Sequence, residues 1–454
     1  MQTDPAASPP GLSKQERRFV MREHNSLTLI LLSITLLLSI AGCVQSPPVT
    51  TVPTGNDNSS NATDSTTMSV VLDIDLTGDW VKPDMYWGAH GSLSDLGYYH
   101  FSDTGLLTFT DITNAISVIL CHKTACSHSG KDLEYCEAAA LEAQIFFYHE
   151  GYIYFDKHVS EDPYAVHLYR RKADGTNEEK VAVLGEAYFS ANTSVSVGQC
   201  LAAGDFLYIT LGIMESIRQE DGSFMVLERG SVLSVLNLRT GKQQEIAQYQ
   251  NAFIQLFGAR EDALLFYTQD TLPSEEIGKP DYYEKTESLP ARFQVWSEQS
   301  GCVILFEKPN KDCYWIEGLQ GGKLHYYSKE KAYAYDLITG EFAETGLPLA
   351  SSIVSEDFFF AAPGYLENRE FGRFLDAGTG QSIVSKFDDA NLLVRKKSSV
   401  GCIVTILYYR DPILNNDGTA NISRKIDAYV TFESMKDGLQ ESDLLVIHDE
   451  KFEE

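Results

Sequence analysis

The sequence predicts an all-β fold, a β-propeller of six to seven blades lying behind a signal peptide and a disordered tether. Three observations lead there. Tyr and Phe are abundant, 24 and 23 among 454 residues, a composition that suits pleated strands better than helices. From Ser69 onward, short aromatic runs alternate in polarity with the strand period of two. Closely similar turns close these runs at a repeat of roughly 35–55 residues, the length of a propeller blade.

Taken in order, residues 1–42 read as the signal peptide. Leu27 to Ala41 (LTLILLSITLLLSIA) is apolar but only about 15 residues long, short of the roughly 20 that a bilayer-spanning helix requires. Arg22 precedes it, and the small residues Ser39, Ala41 and Gly42 close it, as signal processing demands. Residues 1–20 are polar and Pro-rich, unlike an n-region, so Met21 reads as the start. Ile40-Ala41-Gly42-Cys43 resembles the lipobox of bacterial lipoproteins. That resemblance implies a lipid on the Cys43 sulfur, cleavage just before it, and anchorage on the extracytoplasmic face of the cell membrane. Residues 43–68 follow as lipidated Cys and flexible linker: VQSPPVTTVPTGNDNSSNATDSTTM carries almost no large apolar group and cannot form a core.

Residues 69–454 form the expected propeller domain. The strand candidates include FFYHEGYIYF from Phe146, FLYITL from Phe206, ALLFY from Ala263 and IVTILYY from Ile403. The turns are Asn237-Leu-Arg-Thr-Gly241, Asp336-Leu-Ile-Thr-Gly340 and Asp376-Ala-Gly-Thr-Gly380, with Asp111-Ile-Thr-Asn114 and Ala173-Asp-Gly-Thr176 as relatives. Gly supplies the positive φ of the hairpin, while Asp or Asn bonds its own backbone. Six firm units span 145–185, 205–248, 252–306, 314–347, 353–386 and 391–447, and a partial unit at 94–120 makes a seventh. Ser69 to Leu76 alternates cleanly and is expected to complete a terminal blade, since an open ring leaves an exposed edge. A β-sandwich is the competing architecture. The combination of lipobox, polar tether and D-x-x-T-G turns resembles bacterial surface lipoproteins with a TolB-like or WD-type propeller, although a repeated Trp-Asp signature is missing.

The formal net charge of −28 makes nucleic acid and anionic membrane surfaces poor partners. A glycan, peptide or protein ligand fits better, with the membrane met through the lipid. The densest chemical cluster is Cys121-His122-Lys-Thr-Ala-Cys126-Ser-His128 followed by Cys136. Three thiols and an imidazole make the donor set of a structural zinc site. A disulfide stapling an inter-blade loop, or unlinked thiols, are the other readings, and an odd seven Cys remain once Cys43 is set aside. The insertion from Gln269 to Pro290 sets Tyr282 and Tyr283 among carboxylates, as a solvated acidic loop or a ligand surface. Trp80 and Trp87, in WVKPDMYWGAHG, are candidates for a ligand platform or for packing of the first blade.

The chain contains no G-x-S-x-G elbow, H-E-x-x-H or Walker loop. Gly378-Thr-Gly380 lacks the third Gly of a dinucleotide turn, and Asn415-Asn416-Asp417-Gly418 lacks the ligand ladder of a calcium loop. Histidines 100, 149, 158 and 167 default to structural roles. The expectation is therefore a binding module whose ligand meets the axial mouth of the ring. A propeller enzyme acting on extracellular glycans, a lyase or hydrolase, is the alternative.

Overall fold

The computed structural model describes residues 74–82 and 91–452, except 103, 140–142, 160–161, 191, 220–222, 274–275, 349–350, 362–372, 386, 388–389 and 410–421. Cys43, the tether and Trp87 lie outside the described residues. Two compact units are distinguished. One includes Thr271–Glu287; the other takes in the strands on either side of that insertion and is the ring.

Seven antiparallel sheets, each a meander of consecutive strands, make the blades among the described residues. Blade 1 runs from Ser92 to Ile119, blade 2 from Phe146 to Leu184, blade 3 from Thr193 to Tyr249 and blade 4 from Ala252 to Pro309. Blade 5 runs from Trp315 to Glu344, blade 6 from Ser351 to Asp376 and blade 7 from Asn391 to Lys451. Blade 6 has three strands and the others have four. The partial unit at 94–120 is thus a full blade, and the count is seven. First strands touch between blades 1 and 2, 3 and 4, 4 and 5, 5 and 6, and 7 and 1, which places them around the axis.

The period-two pattern explains the packing. In Ala263–Tyr267, Ala263, Leu265 and Tyr267 point into the interface with blade 5, while Leu264 and Phe266 point into the interface with blade 3. A blade strand is therefore buried on both faces, and it reads as a nearly continuous apolar run. Apolar clusters likewise join blades 1 and 2, 2 and 3, and 6 and 7.

The closure differs from expectation. Blade 7 takes its outer strand from Leu445–Lys451, and among the described residues no N-terminal strand pairs with it; Ser69 to Asp73 of the predicted closing strand lie outside them. Ile74 and Leu76 carry no strand and pack instead into the interface of blades 4 and 5, while Val81 makes an isolated bridge to Ala259. Residues 74–78 form bends and a turn, and the alternation there reports one-sided burial against an apolar surface, not a strand. Among the described residues, blades 1 and 7 meet through side chains: Leu93, Tyr98 and Ile112 face Ile403 and Tyr429, and Ser399 donates to Asp95 at 2.9 Å.

The repeated turns work as read. Asp336 Oδ1 accepts from the amides of Ile338 and Thr339 at 3.0 and 2.9 Å, and Gly340 sits at φ 71°. Asp376 accepts from the Thr379 amide and hydroxyl at 2.7 and 2.8 Å. Bonds from the threonine amide and hydroxyl hold the carboxyls of Asp111, Asp174, Asp336 and Asp376 below the ordinary aspartate range. Depressed values mean that this stabilisation is complete above about pH 4 and is lost as pH falls through the folded values. The urea midpoint should therefore drop on acidification from pH 5 to 3. A quadruple Asp→Asn variant at these positions should show a smaller drop; an equal drop would place the acid sensitivity elsewhere.

Candidate functional site

Blade 1 ends at its outer edge with Ile119, and the chain must return to the axis to begin blade 2 at Phe146. The Cys-bearing connection makes that crossing. Leu120 donates to Leu107 O at 3.0 Å, and Leu107 donates to Ala138 O at 2.7 Å, so both ends are sewn to blade 1. His128 and Gly130 adopt left-handed backbone, φ 54° and 56°, and reverse the chain into a 3-10 turn over Gly130–Glu134. The Ser127 amide and hydroxyl donate to Asp132 Oδ2 at 2.9 and 2.6 Å, fixing the residue between Cys126 and His128. On the far side, the Arg171 guanidinium pairs with Glu178 at 2.5 Å and donates to Glu137 O, tying blade 2 to the loop.

This folding brings Cys121, Cys126, His128 and Cys136 together, with one donor atom from each inside a common 4.8 Å. Cys136 Sγ lies 3.5 Å from His128 Nδ1. A tetrahedral ion with Zn–S of about 2.3 Å and Zn–N of about 2.0 Å requires an S···N separation of about 3.5 Å. The four donors can therefore hold one metal ion, and three thiolates with an imidazole suit zinc rather than manganese or calcium. The seven described cysteines are free of disulfides. Cys136 is buried against Leu120, Ala138, Ile153 and Phe155, the other three donors being half-buried. Burial pushes the Cys136 thiol up to about 11, opposed by the Ala138 amide and reinforced by Cys126 and Cys121. Burial also acts to raise Cys121, but the amides of Lys123 and Glu137 and the adjacent thiols outweigh it and hold that thiol below its ordinary range.

The other sequence candidates divide between the two units, Tyr282 and Tyr283 in the insertion and Trp80 in the ring. Tyr282 opens a helix over Tyr282–Ser288 within the insertion, and its ring meets Tyr283 edge-on at 5.5 Å. Tyr283 is 75% exposed, and Lys285 in the same unit reaches Asp281 at 2.9 Å. Trp80 packs against the interface of blades 4 and 5, not the first blade, and the Arg260 guanidinium covers its ring at 4.6 Å.

Three cavities bear on function. On the axis, Ser92, His149, Gln199 and Lys396 from blades 1, 2, 3 and 7 join Lys82 around about 230 Å³. Beside the segment 76–82 lies a cavity of about 720 Å³, whose lining holds Lys82 and Lys397 against Asp79 and Glu356, with Lys82 paired to Glu356. The third, about 590 Å³, opens at the seam of blades 1 and 7, where His100, Arg395, Lys425, Asp427 and His448 converge. There the His100 ring contacts Thr110 Oγ1 at 2.9 Å, Arg395 Nε donates to Thr405 Oγ1 at 3.0 Å, and Thr405 donates to Asp427 at 2.5 Å. Only His100 of this group was singled out from the sequence. The available signal was Arg395-Lys396-Lys397, a cationic triplet on the first strand of blade 7 in a strongly acidic chain.

No family model and no curated protein matches the chain. Among solved structures it is similar to a dipeptidyl peptidase 4 of Porphyromonas gingivalis, with 10% identity over 80% of this chain and 60% of that one, at a TM-score of 0.44. A prolyl endopeptidase is 14% identical over 64% of this chain and 41% of its own, at a TM-score of 0.42. An oligogalacturonate lyase in complex with manganese is 12% identical over 74% and 83%, at 0.41. The chain thus spans less than two thirds of either peptidase's length. Overlaps this loose transfer no activity. What stands on the chain's own seven sheets is the architecture: a seven-bladed β-propeller.

Proposed function

We propose that this chain is a lipid-anchored, extracytoplasmic propeller lipoprotein, of the TolB-like kind its sequence resembles, that binds a glycan or other small polar ligand. The observation that carries the reading is the seam cavity. Its volume falls within the 300–1,000 Å³ range typical of small-molecule sites, whereas the axial cavity lies below it; the cavity beside 76–82 shares that range, but its two lysines face two carboxylates, Asp79 and Glu356. Polar groups from both blades line it: His100, Thr108 and Ser117 on one side, Arg395, Thr405 and Asp427 on the other. The ligand therefore enters off the axis, not at the axial mouth. Ligand-detected NMR against a panel of saccharides and peptides tests this. Ser117 is exposed on an edge strand, so Ser117→Trp should block the cavity and abolish binding without changing the melting temperature. Retained binding in that variant would move the site elsewhere.

A second reading is enzymatic, a lyase or hydrolase acting on extracellular glycans. Two imidazoles and a carboxylate, His100, His448 and Asp427, line the same cavity, and such groups serve general acid–base work. Turnover of a bound glycan, lost in His100→Gln and His448→Gln with binding retained, would select this reading.

The Cys121/Cys126/His128/Cys136 cluster is assigned a zinc ion in a structural role, since four protein donors leave no open position for a substrate. The anchor is tested by metabolic labelling with an alkyne fatty acid, which should mark the native protein and leave Cys43→Ala unlabelled.

A further inference from the structure

The seam cavity carries a charge pattern opposite to that of the chain. Overall, 64 acidic residues face 36 basic ones. Within the cavity lining, Arg395, Lys396 and Lys425 face a single carboxylate, Asp427. That carboxylate is already engaged, by Lys425 at 3.0 Å and by the Thr405 hydroxyl. Lys396 is 4% exposed and borders the axial cavity as well, where the lining holds no carboxylate and the other lysine, Lys82, is paired to Glu356. Two adjoining cavities thus share a positive interior in a chain of net charge −28. Such a local field concentrates anions that the outer surface repels.

The neighbouring groups narrow the class of anion. Arg395 is exposed at the cavity, and its planar fork matches a carboxylate bidentately. Thr108 and Ser117 supply hydroxyls suited to a polyhydroxy frame. The half-buried His100 ring lines the same wall, backed by the buried Tyr98 on which it stacks at 4.7 Å and 12° between planes, a flat surface of the kind that packs against a sugar ring.

We infer that the seam cavity recognises an acidic sugar, a carboxylate carried on a hydroxylated ring, with Arg395 as the residue that reads the carboxylate. The inference rests on the binding reading above and adds the ligand class to it. Isothermal titration of the full chain with glucuronate, glucose and inorganic phosphate tests it. Glucuronate should bind at least about tenfold more tightly than glucose, in keeping with the worth of a hydrogen bond to a charged group. Raising ionic strength should weaken it. Arg395→Gln should cost about tenfold or more for glucuronate while the melting temperature stays unchanged, and Lys425→Gln should do the same to a smaller degree. Equal affinity for glucose and glucuronate, or an Arg395→Gln variant that binds like the native protein, would overturn the inference while leaving a binding module standing. Phosphate binding as tightly as glucuronate would overturn the sugar-acid assignment. Failure of every saccharide and peptide in the panel would defeat the binding reading itself.

Discussion

One equivalent of zinc per chain should be found in the purified protein, and Cys126→Ser should abolish it. The Cys-bearing connection has little apolar content of its own, and Lys123, Ser127 and Ser129 are exposed. Its order rests on the few bonds to Asp132, Glu137 and Leu107, and on whatever joins its four donors. Loss of a structural metal belongs to the small class of changes that cost about 4–5 kcal/mol or more. Here it would also uncover the blade 1–2 core at Leu120 and Cys136. Chelation should therefore lower the melting temperature of the native protein and leave that of Cys126→Ser unchanged. Zinc should restore it where manganese fails, because thiolates favour the softer ion. Cys302→Ser, at an exposed cysteine far along the chain, should keep both metal and stability within about 0.5 kcal/mol. A native protein with no metal, and with two of Cys121, Cys126 and Cys136 joined in a disulfide, would sink the assignment.

The second large effect concerns the ring itself. Leu264 and Leu265 are neighbours in one strand, each 0% exposed, yet they belong to different inter-blade cores. Each leucine-to-alanine change should cost about 2–5 kcal/mol, the transfer loss plus the cavity left behind. The double variant should lose nearly the sum of the two, because the cavities open on opposite faces of the sheet with no shared partners. A sandwich would give a different result. There one face of the sheet meets solvent, so one of the two changes would be nearly silent. Denaturant unfolding of the three variants distinguishes the architectures.

These two cases show what the sequence makes legible. The turn at Asp336 can be read locally, because an aspartate, a threonine and a glycine within five positions contain the whole mechanism. The doubly buried strands announce themselves as apolar runs for the same local reason. Cys126 and His128 are two positions apart and can be grouped at once, although only the fold shows that Cys121 and Cys136 close the set. The seam cavity is different. His100 and Asp427 stand at opposite ends of the domain, and only closure of the ring makes them neighbours. No spacing encodes that, and the cationic triplet at Arg395 was the one trace it left. The alternation at Ile74 and Leu76 misled because it reports burial on one side and says nothing of the partner.

Because, among the described residues, every sheet is built from its own stretch of chain, the seven blades are separable in a way that a strand-exchanged ring would not be. Cutting the polypeptide between any two of them, and rejoining it elsewhere, would leave each ladder of backbone hydrogen bonds whole. The ring is thus a modular register in which a blade can be duplicated, deleted or shuffled as one cassette. The seam is the one junction where first and last cassettes meet without a covalent link, and it is the place where such a rearrangement would be felt first.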